Sequence, residues 1–144
     1  MAWLLTDMLG WSVEFHEDVD RFRACDGPKL NYGQYSIGGA MNVKACGWLS
    51  SAGMDPVDPL VIETDGMPAL FPTDGGDLDF DPFASAFFQL SRYEEWTGIE
   101  CDQHDRPITS RLHAARHNYL HRPVVDEWAI RLAEVWRRID PSLP

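Results

Sequence analysis

The sequence predicts an α/β fold: a small mixed β-sheet packed with three main α-helices, at about residues 2–9, 82–96 and 123–139. Three observations carry that reading. Val125, Trp128, Ala129, Leu132, Val135, Trp136 and Ile139 recur at i, i+3 and i+4, the spacing of one buried helical face. Asp81-Pro82 opens the apolar run "FASAFFQL", and an aspartate at the cap with proline at the first helical position is a helix start. Short β-like runs before residue 72 are punctuated by Gly38-Gly39 and Asp65-Gly66, pairs that accept the positive φ angles of tight turns. With 144 residues the chain reads as one domain, able to bury roughly two-thirds of its unfolded surface.

In chain order, Leu4, Leu5, Met8 and Leu9 predict an opening helix that Gly10 ends. "SVEF" at 12–15, a polar helix around "EDVDRFRA" and "PKLNYG" at 28–33 read as strand, crossover and strand, a parallel pair. Gly38-Gly39 then predicts a hairpin, and Asp65-Gly66 a second one joining "LVIET" to "MPALF". "SSAGMDPVDP" and "PTDGGDLD" are loops. The helix from Pro82 to Trp96 has almost no polar side in its first half, so it is expected to be covered on nearly every face. A loop from Thr97 to His121 leads to the last helix.

Composition excludes several functions. The formal charge of −11, from 23 acidic and 12 basic residues, disfavours attraction to nucleic acid or an anionic membrane. Cys25, Cys46 and Cys101 have no metal-ligand spacing, and an odd count gives no disulfide framework, so they read as reduced thiols in a cytoplasmic setting, unless an upstream targeting segment is missing. The apolar start "MAWLLTDMLG" lacks the basic region and cleavage site of a signal peptide. No stretch approaches the roughly eighteen apolar residues of a membrane span. No cofactor is expected.

The candidate sites are few. His113 and His117 in "HAARH" stand four apart, which on a helix would let both imidazoles reach one metal ion. Nothing adjacent supplies a third ligand, so they read as surface or loop histidines, with a small metal-dependent hydrolase as the alternative. "DLDFD" at 77–81 alternates carboxylates, but Pro82 and Phe88 stand where a calcium loop needs glycine and glutamate. Glu94-Glu95 and Asp126-Glu127 are adjacent on helices and point about 100° apart, the wrong geometry for a shared substrate bond. Arg92, Glu94, Glu95, Asp102, Arg106 and Arg122 are instead expected to form an ion network tying the long loop to both helices. Of six tryptophans, Trp48 and Trp96 lie off the core stripes and are the candidates to offer a flat face to a sugar ring, as a carbohydrate-binding module would. No nucleophile elbow, phosphate loop or dinucleotide fingerprint occurs.

Four blocks together, "GPKLNYG" (27–33), "FDPFASAFFQLSRYEEW" (80–96), "DQHDR" (102–106) and "LHRPVVDEW" (120–128), carry a resemblance. The chain resembles the uncharacterised N-terminal domain that precedes the catalytic domain in bacterial polysaccharide-deacetylase-like proteins. The resemblance implies an accessory domain with a metal-dependent carbohydrate deacetylase following "DPSLP". Such a deacetylase holds its ion with an aspartate pair and an H-[ST]-x-x-H motif. "HAARH" has that spacing, but Ala114 replaces the Ser/Thr and the segment falls within the accessory pattern, so no catalytic residue carries over.

Overall fold

Helix α5 (Val124–Ile139) forms over the expected stretch and buries Val124, Trp128, Ala129, Leu132, Ala133, Val135 and Trp136. The computed structural model describes residues 2–143, and its elements confirm the α/β class. The sheet, however, is two separate pairs among the described residues: β1 (Leu30–Gly33) with β2 (Met41–Lys44), and β3 (Val61–Thr64) with β4 (Met67–Leu70).

The β3–β4 pair is the expected antiparallel hairpin, with Thr64 opposite Met67. Asp65 and Gly66 both take positive φ, 49° and 76°, as a two-residue hairpin turn with strand-matching twist requires. The Gly38-Gly39 hairpin does not form. β1 and β2 run parallel, Leu30 opposite Met41 and Gly33 opposite Lys44. A parallel return normally needs a dozen or more residues. Here two side-chain amides substitute for a crossover helix. Asn42 accepts from the backbone N–H of Ile37 and donates to the carbonyls of Ile37 and Ala40, while Asn31 donates to Tyr35 O and to Asn42 Oδ1. These bonds fold the connection back on itself, and β2 takes the place beside β1 that "SVEF" was expected to fill. Residues 12–15 carry no strand.

The loop after β4 closes over β2. Asp77 N donates to Asn42 O, and Asn42 N donates to the Asp77 carboxylate. A Cβ at Gly76 would lie 2.8 Å from Asn42 O, so the backbone contact requires glycine there.

The opening helix contains a π-helical turn at Leu4–Met8 that buries Leu4 and Leu5 and packs on α5. The polar helix α1 spans Val19–Ala24, capped by the Asp18 carboxylate on the N–H groups of Asp20 and Arg21. The helix expected over 82–96 is broken in two: α2 (Pro82–Leu90) and α3 (Tyr93–Trp96). Arg92 sits at φ 52°, a left-handed conformation that stops the ladder. The break swings Tyr93 into the core, where its ring meets Phe88 and Trp48 and its hydroxyl donates to Asp55 O.

The α2 face expected to be covered all round is also open on one side. Phe87 and Leu90 are 49% and 52% exposed, next to Trp3 at 46%. The buried side of α2 packs on β4 and α5, and Phe80, Phe83, Phe88, Leu132 and Trp128 fill the centre. Helix α4 (His113–Arg116) lies within the segment expected to be loop. No helix among the described residues is long and apolar enough to cross a membrane.

Candidate functional site

The buried polar centre of the molecule is Asp81, with no solvent exposure. Oδ1 accepts from the N–H groups of Phe83 and Ala84 at the start of α2. Oδ2 accepts from the Tyr32 hydroxyl at 2.8 Å and from Cys46 N at 2.9 Å. One carboxylate therefore joins α2 to β1 and to the segment after β2. Burial first, then the Asp81 carboxylate, pushes the Tyr32 phenol up; burial pushes the Cys46 thiol up to about 11. Neither group is primed to give up a proton near neutrality. The arrangement is a fastener, with every carboxylate lone-pair direction used by a donor.

A second polar cluster gathers around α4. His113, expected at the surface, has no exposure. Its Nδ1 lies 2.5 Å from the buried Tyr119 hydroxyl and its Nε2 2.8 Å from Pro59 O. Its backbone N–H donates to the Glu94 carboxylate. Tyr119 N bonds to Ala114 O and His117 N to His113 O, so the turn after α4 fixes the three rings relative to one another. His117 packs against His113 with ring centroids 4.4 Å apart, but it faces solvent. Asp58, from the loop before β3, reaches the same place: its Oδ1 is 3.8 Å from His113 Nε2. Arg116 donates to both Asp58 oxygens.

The electrostatics follow from this packing. Burial drives the His113 imidazole below the ordinary histidine range, which outweighs the Pro59 carbonyl. Burial raises the Glu94 carboxyl and the Tyr119 phenol. The Arg116 guanidinium lowers Asp58. The neutral form of His113 is therefore favoured by the fold. A histidine whose folded value lies below its unfolded one, 6.5, stabilises the fold above that pH and loses the contribution as pH falls through the folded value. The melting temperature is thus expected to drop as pH is lowered from about 7 past 6.5, and a His113→Gln variant is expected to lose that segment of the profile. A wild-type profile with no decline below that pH, or one that His113→Gln leaves unaltered, contradicts the assignment.

The six charged residues expected as one network fall into separate pairs. Arg92 bonds only locally, to Glu95 at 2.6 Å, and its side chain is largely exposed. Asp102 and Arg106 close their own loop turn. Arg122 pairs with Glu127 and donates to Gly66 O, tying the start of α5 to the β3–β4 turn. Glu94 reaches from α3 to α4, where it accepts from His113 N. Exposed pairs of this kind are worth about 0–1 kcal/mol each. Arg92 therefore contributes more through its backbone turn than through its charge.

Trp48 is not a free platform: it stacks on Phe71 at 4.8 Å and 12° and meets Tyr93 edge-on. Trp96 is 73% exposed, with its indole N–H on Ser91 O. They lie outside a cleft of about 760 Å³ between residues 10–37 and the core. Trp11, Phe15, Phe22, Tyr32, Phe83 and Trp136 line it. Sequence reasoning missed this cleft because its walls come from segments distant along the chain. It missed Asp58 for the same reason, although Asp58 precedes a proline in a loop, where a side chain is free to turn inward.

One family profile matches residues 1–141, described as a family of unknown function, DUF7033. No curated protein matches the chain, and no solved structure does.

Proposed function

The chain belongs to this family of unknown function, and from that premise we propose that it is the non-catalytic accessory domain of a polysaccharide-deacetylase-like protein, docking on the catalytic domain and helping to shape its glycan cleft. The observation that carries the reading is the outer face of α2. Trp3, Phe87 and Leu90 stand together over Leu4, Phe83 and Ala86 and form a shallow apolar groove of about 330 Å³. Contiguous exposed apolar surface of this kind marks an interaction site, and the interface between neighbouring domains of one chain is built on such surfaces. The blocks that carry the resemblance to the deacetylase-associated domain supply structure. Asp81 and Tyr93 fasten α2 and α3, Arg122 and Glu127 fasten α5, and Trp128 fills the core. Polypeptide committed to scaffold in this way suits a partner domain that holds the catalytic groups.

Titration calorimetry of this chain against the deacetylase domain of the same protein tests the reading. Saturable binding is expected, weakened at least about tenfold by Phe87→Glu combined with Leu90→Glu, since buried aromatic and aliphatic anchors dominate interfaces. Both side chains are half exposed, so the double variant keeps its fold and its melting temperature within a few degrees. Absence of binding, or equal affinity in the variant, removes the docking role.

The aromatic-lined cleft favours a second reading, a stand-alone carbohydrate-binding module. Trp11 and Trp136 lie in its walls, so a glycan bound there would change tryptophan fluorescence. Silence across chitin, peptidoglycan and capsule fragments counts against it.

A further inference from the structure

We propose that Asp58, His113 and His117 form a binding site for a divalent cation of the zinc type. The histidine pair lacked a third ligand when read along the chain; the fold brings one from 55 residues upstream of His113. One ligand atom from each of the three lies within 4.8 Å of the other two. Zinc at 2.0–2.2 Å from nitrogen and carboxylate oxygen places tetrahedral ligands about 3.4 Å apart, so closing the site takes a side-chain movement of about 1 Å. Two imidazoles and one carboxylate are the donor set that borderline divalent metals prefer over calcium or magnesium. Water would complete the coordination, since His117 and Asp58 open to solvent while His113 forms the buried wall.

One feature indicates a prepared site. His113 has its outer nitrogen held by the buried Tyr119 hydroxyl, the kind of support that aims the other nitrogen of a ligating histidine. The groups that compete for the site are equally plain. Pro59 O lies at 2.8 Å from His113 Nε2, and Arg116 holds Asp58. Nε2 donates to Pro59 O, a carbonyl that can only accept, so its proton must move to Nδ1 when the cation binds, and the Tyr119 hydroxyl then changes from donor to acceptor. A hydroxyl can serve either way, but Pro59 O gives up its donor, and a metal-bound water must take that place. Asp58 must turn from Arg116, which stays solvated because its side chain is partly exposed.

The experiment is titration of the purified chain with zinc, followed by calorimetry, and with cobalt, whose visible absorption reports coordination geometry. The expected result is one saturable site per chain and a four-coordinate cobalt spectrum. His117→Ala and Asp58→Asn, both at exposed positions that leave the fold intact, are expected to weaken binding at least about tenfold. Tyr119→Phe is expected to weaken it by about ten- to a hundredfold, as loss of an outer-shell partner does. Arg116→Ala is expected to tighten it about fivefold, because it removes the competitor for Asp58. A stray imidazole site would not respond to Arg116 or Tyr119. No saturable uptake, or uptake that His117→Ala and Asp58→Asn leave undiminished, overturns the proposal.

Discussion

Replacing Asp81 with alanine is expected to cost about 4 kcal/mol and to lower the melting temperature by roughly 10 °C or more. The cost has two parts. Phe83 and Ala84 lose the oxygen that satisfies their N–H groups at the start of α2, a cap worth about 0.5–2 kcal/mol. The Tyr32 hydroxyl and Cys46 N–H, both part-buried, lose the acceptor they share, and each stranded donor costs up to about 1–3 kcal/mol. Domains carry only about 5–15 kcal/mol of net stability, so the variant is expected to be marginal near 37 °C. Asp81→Asn separates the causes. Its carbonyl oxygen can still cap α2, and its amide can donate to a rotated Tyr32 hydroxyl, but the amide then opposes the Cys46 N–H. About half the loss is expected. Thermal unfolding followed by circular dichroism measures both, and an Asp81→Ala protein melting within 3 °C or so of wild type would contradict the account.

Trp128→Ala is expected to cost about 3–5 kcal/mol, the range for emptying a large aromatic from a packed core. Trp128 has no exposure; its ring lies beside Phe80, and its indole N–H donates to Pro68 O at 2.7 Å. It therefore pins α5 to β4 by both shape and hydrogen bond. Trp128→Phe keeps most of the volume and removes the donor, so about 1–2 kcal/mol is expected. Urea unfolding gives the comparison directly: the alanine variant's midpoint should fall by more than twice the phenylalanine variant's. Equal shifts would mean that the hydrogen bond, rather than packing, dominates at this position.

What could be read from the sequence were features that depend on near neighbours. The Asp65-Gly66 hairpin, the Asp81-Pro82 start of α2 and the long stripe of α5 each follow from a rule spanning a few residues, and each formed. Asp81 shows the limit of such rules. Its capping role is local and was legible, whereas its bonds to Tyr32 and Cys46 join residues 49 and 35 positions away. The parallel β1–β2 pair was hidden because Gly38-Gly39 is a good turn signal, whereas the side-chain amides of Asn31 and Asn42 that brace the return meet only in the fold. The break at Arg92 was hidden because arginine has no preference for positive φ; the burial of Tyr93 imposes it. In the α4 cluster, the His113–His117 spacing was visible, but Asp58, Glu94, Tyr119 and the burial of His113 come from tertiary packing.

The docking role proposed for the outer face of α2 rests on its being covered by a deacetylase catalytic domain. Amide hydrogen exchange measured on this chain alone and in the presence of the deacetylase domain tests it most directly. Slowed exchange is expected, confined to the π-helical turn at Leu4–Met8 and to α2, with the α4 segment and α1 unaffected. Unchanged exchange over residues 83–91, or protection centred on the aromatic cleft instead, would contradict it.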